Sequence, residues 1–404
     1  MAALIFRRPM NAQNALPYST WLQDFEGPIV LFTLNSETDD SLFDHVEYFD
    51  SFDNNGLTEI RAIELSQRFH FTHIFAQSEH DILRAAELRE WLCLPGQSYE
   101  SAKAYRDKFY MKTLVRAGGV ETPEFAALAT PLDLYRFATV HGFPCIVKPR
   151  TGAGSRGVRI LQSNEDLKVF LRQPLPVNHM VESFVEGPVF HVDGLMTDGL
   201  VLFSCASRYF NNCLSFLSGD SLGETLLDPA QSLSRRLTAT TEMVLAALPP
   251  APHLAFHAEL FHDSADRLLF CEIASRPGGS RTIDPIEVVY GFNMYEQWVR
   301  RSFGLLIDLP ERRPWFSAGL LLIPPRRGRL VSLPESVPFE WVIDYKPNSR
   351  AGQSWEAPNF SSANVASFIL SGHDAEEVDF RMSLLDEWFR NQAKWEDPPL
   401  ACPA

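Results

Sequence analysis

The sequence predicts an α+β protein with a small parallel α/β unit at its N-terminal end. Three observations carry that reading. Over roughly residues 1–97, strand-like apolar runs alternate with amphipathic helical ones. Further on, two long alternating runs each fold back at a polar turn. Between these regions, short helices are punctuated by glycine, proline and capping residues.

GPIVLFTL (Gly27 to Leu34) reads as a buried strand and THIFAQ (Thr72 to Gln77) as another. Between them LTEIRAIELSQRFH has helical spacing, with Leu57, Ile60, Ile63 and Leu65 apolar. HDILRAAELREWLCL is a second amphipathic helix, closed by Pro95 and Gly96. SYESAKAYRDKFYMKTLVRAGGV reads as one helix, N-capped by Ser98 and ended by Gly118 and Gly119. TPEFAALAT is extended, PLDLYRFATVHG is a helix stopped at Gly142, and FPCIVKPR is a strand. A glycine loop, the strand-like VRIL and the short helix NEDLKVFLRQ follow. MVESFVEG is a strand or linker, and PVFHVDGLMTDGLVLFSCASRY is a hairpin turning at Thr197, Asp198 and Gly199. SLSRRLTATTEMVLAAL is a helix, and LAFHAELFHDSADRLLFCEIAS is a second hairpin. The remaining residues mix short strands with the helix DAEEVDFRMSLLDEWFRNQ.

A formal net charge of -15 argues against broad binding to nucleic acid or anionic membranes, which needs a basic surface. No tract approaches the roughly 18 apolar residues of a membrane span, and MAALIFRRPM is too short an apolar start for a secretion signal. A cytoplasmic location is the expectation. Cys93, Cys145, Cys205, Cys213, Cys271 and Cys402 are scattered without a C-x-x-C pair, which reads as reduced thiols. His70 and His73 have no Cys or further His close by, so a metal role is not expected there.

VKPRTGAGSRGVRIL (Val147 to Leu161) contains Gly152, Gly154 and Gly157 in the dinucleotide-binding spacing G-x-G-x-x-G. That fingerprint needs a helix after the loop, whose amino terminus receives a pyrophosphate. Here Val158 and Ile160 alternate around Arg159, which is strand-like. The strand–loop–strand context argues against a nicotinamide or flavin role. A glycine-rich hairpin still cradles phosphates through unblocked backbone N–H groups. Lys148 at its base, with Ser155 and Arg156 inside it, suits a triphosphate. The alternative is a surface hairpin whose cations only solvate it.

Glu259 and Glu272 lie equidistant from a turn in HDSADR centred between Ala265 and Asp266. Symmetric pairing sets them opposite each other, with Cβ atoms ~5 Å apart. At ~4 Å and an effective dielectric near 20, two carboxylates repel by roughly 4 kcal/mol. A shared proton offsets this; with a triphosphate nearby, a divalent cation does so better. Leu269, Phe270, Cys271 and Ile273 are apolar and place Glu272 in a covered strand. The alternative is a one-residue register shift that separates the pair. Arg276, in the following ASRPGG turn, suits an acyl phosphate or a substrate carboxylate; otherwise it is a surface arginine.

These pieces, in this order, resemble the ATP-grasp superfamily of carboxylate–amine ligases, over about residues 105–300. RDKFYMK resembles the segment with the first nucleotide lysine, here Lys108, and FPCIVKPRTGAGSRGV the second, Lys148, with its phosphate loop. MVESFVEGPVFHVDG resembles the strand that holds adenine, around Glu182, Ser183, Phe184 and Val185. HAELF and LFCEIASRPGG resemble the metal-binding hairpin, giving Glu259 and Glu272. The layout is most similar to bacterial L-amino acid ligases.

The resemblance implies an ATP-grasp fold of two α+β subdomains gripping ATP, preceded by a Rossmann-like α/β domain. Its boundaries would be 1–104, 105–305 with a lid at about 123–187, and an accessory lobe at 306–404. The implied reaction is amide formation through an acyl phosphate, with ATP and Mg2+, for which Mn2+ can substitute. Lys108, Lys148, Gly154 and Ser155 would meet the phosphates, and Arg276, Gly278 and Gly279 the substrate. Implied partners are a small carboxylate and an amine, with dimers common in similar families. Two departures stand out. Ala274 occupies the place of a metal-binding Asn, leaving Ser275, water or a backbone carbonyl to serve. Val189 replaces an acidic ribose contact, leaving Glu186 or His191. Three rival readings are an acyl transfer to a carrier-protein arm or other nucleophile, a non-catalytic nucleotide-binding protein, and a nicotinamide enzyme.

Overall fold

The N-terminal residues form a four-stranded sheet, parallel throughout, in the order His45–Tyr48, Ile29–Thr33, Ala3–Arg7, His73–Ala76. This computed structural model describes residues 1–8, 16–34, 42–212, 214–310, 314–358 and 360–397. Side chains of the two middle strands alternate between two cores. Leu4, Phe6, Val30 and Phe32 pack with Ala62, Leu65, Ala85 and Leu88 of the helices Leu57–Phe69 and Ile82–Trp91. Ala3, Ile5, Ile29 and Leu31 face Trp298 and Val299 of the helix Met294–Ser302. The strand Ala3–Arg7 escaped the sequence reading because a strand covered on both faces is continuously apolar, without alternation. The first helix turns Thr58, Ala62 and Leu65 inward, while Leu57 and Ile60 are 72% and 53% exposed, contrary to the apolar stripe expected.

The segment expected as one helix from Ser98 is two, Tyr99–Arg106 and Lys108–Ala117. Asp107 between them leaves helical geometry, and its side chain accepts from the amides of Phe109 and Tyr110 as an N-cap. The Lys108 amide donates to Arg150 O at 2.8 Å, and the Arg150 guanidinium returns to Asp107. The break thereby ties the second helix to the glycine loop.

A second sheet of four strands, antiparallel throughout, has the order Phe125–Leu128, His179–Ser183, Cys145–Pro149, Arg159–Leu161. It packs on the helix Pro131–His141, whose start carries a Thr130/Asp133 capping box. The glycine loop connects its last two strands, so the loop lies between antiparallel strands and no helix follows it directly.

The third sheet has eight strands, in the order Leu268–Ala274, His253–His262, Val189–Thr197, Leu200–Tyr209, Leu222–Leu226, Ser317–Ile323, Ala366–Gly372, Val342–Pro347. Three strands from beyond residue 305 thus continue this sheet, where an accessory lobe was expected. On one face Phe190, Val192, Phe256, Ala258 and Leu260 pack under the helix Ser232–Ala247. The opposite face receives His191, Asp193, His257 and Glu259, by simple alternation. No helix among the described residues is long and apolar enough to cross a membrane.

Candidate active site

Two adjoining cavities lie between the segment that follows the first sheet, the second sheet with its glycine loop, and the eight-stranded sheet. One, of about 130 Å3, is lined by Lys108, Lys148, Glu182 to Val185, Val189 and Phe261. The other, of about 370 Å3, is lined by Glu79, Tyr209, Glu224, His257 and Arg276. Both share Lys108, Ala153 to Arg156, Glu259 and Glu272. In the shared loop Gly154, Ser155 and Gly157 have φ of 61°, 57° and 75°. Glycine tolerates this left-handed region, while Ser155 is held there at some cost.

In the smaller cavity, Lys148 Nζ lies 2.6 Å from Glu182 Oε1, and Lys112 Nζ lies 3.3 Å from Glu182 Oε2. All three side chains are buried. Burial pushes the Glu182 carboxyl up, but the two ammonium groups hold it below the usual carboxylate range. Burial likewise works against charge on Lys148, but Glu182 overrides it and keeps the ammonium. Burial wins at Lys112, whose pKa is lowered. The amides of Ser183 and Phe184 donate to Glu124 O and Pro144 O, which fixes this strand's path past the cavity.

The carboxylate hairpin sits where the cavities meet. Its turn centres on Ala265, since His262 pairs with Leu268 and Leu260 with Phe270. Continued, that register would set Glu259 opposite Cys271. A bulge takes up Cys271, and Glu259 pairs with Glu272. The expected pairing therefore holds through a bulge and not through a symmetric turn. Glu259 accepts from Tyr209 OH at 2.9 Å, and Glu272 lies 3.0 Å from Lys108 Nζ. Lys108 also donates to Gly152 O at 2.8 Å, so it links hairpin, loop and helix start. Burial raises the Glu259 carboxyl, but His257, Tyr209 and His191 hold it below its ordinary value. Two paired carboxylates facing a phosphate-sized loop, each already met by a donor or cation, fit a divalent ion.

Behind the pair lies a buried network. His257 Nδ1 is 2.9 Å from Asp193 Oδ1, and His191 Nδ1 is 2.6 Å from Asp193 Oδ2. His191 Nε2 is 3.2 Å from Glu224 Oε2, which Thr282 Oγ1 also reaches at 3.1 Å. Burial disfavours charge on both imidazoles, but Glu224 and Asp193 raise His191 to about 9, and Asp193 and Glu259 raise His257 to about 10.

At the larger cavity's far wall, Arg276 Nη2 lies 2.6 Å from Glu79 Oε2, and Arg106 pairs with the other Glu79 oxygen. Arg276 is therefore no surface arginine. Burial raises the Glu79 carboxyl, yet the cations Arg276, Arg106 and Lys108 bring it down to about 2. Phe360, Ser361 and Ser362 close the cavity from the C-terminal side. Arg156 stacks over the Phe360 ring at 4.4 Å, and Ser361 N donates to Gly154 O at 3.2 Å.

The structure thus gathers Lys108, Lys148, Gly154, Ser155, Glu182, Ser183, Phe184, Val185, Glu259, Glu272, Arg276 and Gly279 around two connected cavities. It does not bring Glu186 or His191 to a cavity wall: Glu186 is exposed in the segment after the strand His179–Ser183, and His191 is fully buried. Gly278 instead donates its amide to Asp193 at 3.2 Å, and a Cβ there would come 2.5 Å from Thr282 Cγ2. Ser275 lines a separate cavity beside His73 and Trp298, away from the carboxylates. Cys93, Cys145, Cys205 and Cys271 are free thiols, while Cys213 and Cys402 lie outside the described residues. Sequence reasoning missed Glu79, Lys112, Asp193 and His257, while Tyr209 and Glu224 bound the polar, aromatic segment 209–224 that reads as a candidate acceptor-site lining. His257 could have been found, because it stands two residues before Glu259 and so shares its face.

Residues 105–248 match the ATP-grasp domain family. The L-arginine-specific L-amino acid ligase of Bacillus subtilis is 22% identical over 395 residues, covering 90% of this chain and 94% of that protein. Among solved structures, the L-amino acid ligase from Bacillus licheniformis superposes with a TM-score of 0.79 at 19% identity, covering 98% of both chains. The biotin carboxylase domain of 2-oxoglutarate carboxylase from Hydrogenobacter thermophilus, solved with MgADP and bicarbonate, gives 0.67 at 15% identity, covering 98% of this chain and 90% of that one. The chain carries an ATP-grasp domain in an ATP-grasp fold and is similar along most of its length to bacterial L-amino acid ligases.

Proposed function

We propose that this protein is an ATP-dependent carboxylate–amine ligase that joins an amino acid or related carboxylate to an amine. The carrying observation is the meeting of two cavities at Glu259, Glu272 and the glycine loop. Nucleotide fits the smaller, with adenine against Glu182 to Val185 and phosphates toward Lys148 and Lys108. The carboxylate substrate fits the larger, beside Arg276 and Gly279. The proposed division of labour is an α/β unit at 1–104 supplying Glu79, an ATP-grasp unit at 105–305 with its lid at about 123–187, and 306–404 closing the substrate side.

Phosphoryl transfer spreads charge over oxygens, so catalysis here is positioning and charge stabilisation. Glu259 and Glu272 would hold a divalent ion that supplies positive charge against the phosphates; Mg2+ is the expected ion, with Mn2+ as a substitute. Lys148, kept charged by Glu182, faces the phosphate tail. Lys108 exchanges its contact with Glu272 for a phosphate oxygen. Gly154 and Ser155 cover the transferring group and exclude water, which would hydrolyse an acyl phosphate. Arg276, held in place by Glu79, stabilises the acyl phosphate until the amine displaces phosphate. Acidic groups in the larger cavity suit substrates carrying an ammonium group.

The test is release of ADP and phosphate across a matrix of amino-acid pairs, with mass detection of the product. An amide product formed with ADP is the expected result. ATP binding with no turnover on any pair, carrier or other nucleophile overturns the ligase reading. Glu272→Gln should remove turnover at least 10²-fold, an effect on the scale of losing one charge-stabilising group, while the melting temperature without ligand stays near wild type.

A further inference from the structure

We propose that the cavity lined by Ser275 and Arg89 binds a small oxyanion, such as phosphate or a short carboxylate, and that its occupancy is felt at Arg276. This cavity is separate from the two described above. Binding there does not depend on the ligase reading.

The cavity measures about 80 Å3, several times the roughly 10–15 Å3 that one water needs. It lies where the strand His73–Ala76 and the helices Ile82–Trp91 and Met294–Ser302 meet the start of the strand His253–His262. Its polar wall is made of His73, Arg89, Gln97, His253, Ser275 and Ser302, and no aspartate or glutamate lines it. The chain as a whole carries a formal net charge of -15, so a cavity faced only by cationic and neutral polar groups runs against its composition.

Two groups in this wall lack a partner that burial calls for. Arg89 is 9% exposed, and no carboxylate pairs with it among the described residues. Its Nη1 donates to Ile74 O at 2.8 Å, and its Nε and Nη2 donate to Gln97 O at 3.2 Å and 2.9 Å. Carbonyls satisfy hydrogen bonds but leave the charge uncompensated. Burial accordingly pulls the guanidinium down to about 10, offset in part by Glu90 beside it in the chain. Ser275 is 3% exposed, and its Oγ meets no hydrogen-bond partner among the described residues. An oxyanion supplies both missing partners, negative charge for the guanidinium and an acceptor for the hydroxyl. Nearby charges act in the same direction. After burial, the N-terminal ammonium disfavours protonation of His73, and Arg301 disfavours that of His253, with Asp198 opposing. A positive potential therefore reaches the cavity with both imidazoles neutral.

The three chain segments that clamp Arg276 all pass this cavity. Ser275 immediately precedes Arg276. The strand His73–Ala76 leads to Glu79, which holds Arg276 at 2.6 Å. Gln97 leads into the helix Tyr99–Arg106, whose last residue pairs with the other Glu79 oxygen. Arg89 already ties Ile74 to Gln97, so an anion bridging Arg89 and Ser275 joins all three.

The probes are inorganic phosphate and acetate, titrated separately into the full chain carrying 15N in its histidine and arginine side chains, in a buffer free of other oxyanions. His73→Gln and His253→Gln assign the two ring signals, and Arg276→Lys assigns the Arg276 Nε signal. The expected result is saturable movement of the His73 and His253 signals, with the Arg276 signal moving in step. Movement with phosphate alone marks a site for tetrahedral oxyanions, and movement with acetate alone a site for carboxylates. Ser275→Ala should weaken binding about tenfold, the scale of one hydrogen bond to a charged group. Its melting temperature without ligand should stay near wild type, because the hydroxyl has no partner to lose. No saturable movement at either histidine overturns the proposal. Movement that Ser275→Ala leaves unchanged also overturns it, as does movement confined to His80 and His257, which line the larger cavity. Histidine signals that move while Arg276 stays still overturn the link to Arg276.

Discussion

Glu182 shows how much one side chain holds in place. Its two oxygens face Lys148 and Lys112 inside a buried pocket, and removing it leaves both amines buried without that carboxylate. Glu182→Ala should cost about 3–5 kcal/mol of stability, the scale for breaking a buried ion pair from one side, as read by urea unfolding. A variant that unfolds within ~1 kcal/mol of wild type would show that the pair contributes little. Glu79 gives a pH signature. Its folded-state pKa, about 2, lies below the ordinary carboxylate value of 4.5. The unfolded chain therefore binds the proton more readily, so the stabilisation is complete above pH 4.5 and disappears as pH falls toward 2. A shift of that size corresponds to about 3 kcal/mol. The stability difference between wild type and Glu79→Gln should shrink across that window. A difference constant from pH 5 to pH 2 would count against the Arg276 and Arg106 pairing.

At the scale of elements, the break at Asp107 and the bulge at Cys271 do the positioning. Asp107 ends one helix, caps the next and holds Arg150, so Lys108 emerges beside the glycine loop. Asp107→Ala should cost about 1–2 kcal/mol for the lost cap. It should also raise KM for ATP more than it lowers kcat, because Lys108 loses its anchor. A loss of stability with unchanged ATP kinetics would separate the cap from the site. The capping signal was present in the sequence, in the Asp before KFYM. An apolar periodicity running through it read as one helix, and only the tertiary contact with Arg150 shows why the chain turns there. The bulge is less legible still. A turn read as symmetric about residues 265 and 266 gave the correct facing pair through an incorrect register, since a single extra residue leaves no mark in an apolar run.

At the scale of the molecule, the C-terminal strands join the central sheet and bring Phe360 and Ser361 over the phosphate loop. Phe360→Ala removes a contact worth about 0.5–1 kcal/mol. The expected result is a loop that covers its phosphates less well, seen as more phosphate released per amide formed. An unchanged ratio would show that the loop closes without this contact.

The sequence by itself determined the strand–loop–strand phosphate cradle, the paired glutamates and the basic residues beside them, because turn chemistry, alternation and charge act over short stretches of chain. It also determined that the N-terminal unit is parallel α/β, from the alternation of element types. Only the tertiary structure decided which distant groups complete the site. Glu79 arrives from the helical turn Glu79–Asp81 that follows the first sheet, Lys112 from the face of a helix, and Asp193 and His257 from adjacent strands. Phe360 comes from a region whose pattern gave no hint of contact. Their roles depend on which strands become neighbours and on which face each residue falls. A one-residue slip reverses a face, so long-range pairing fixes what local pattern leaves open.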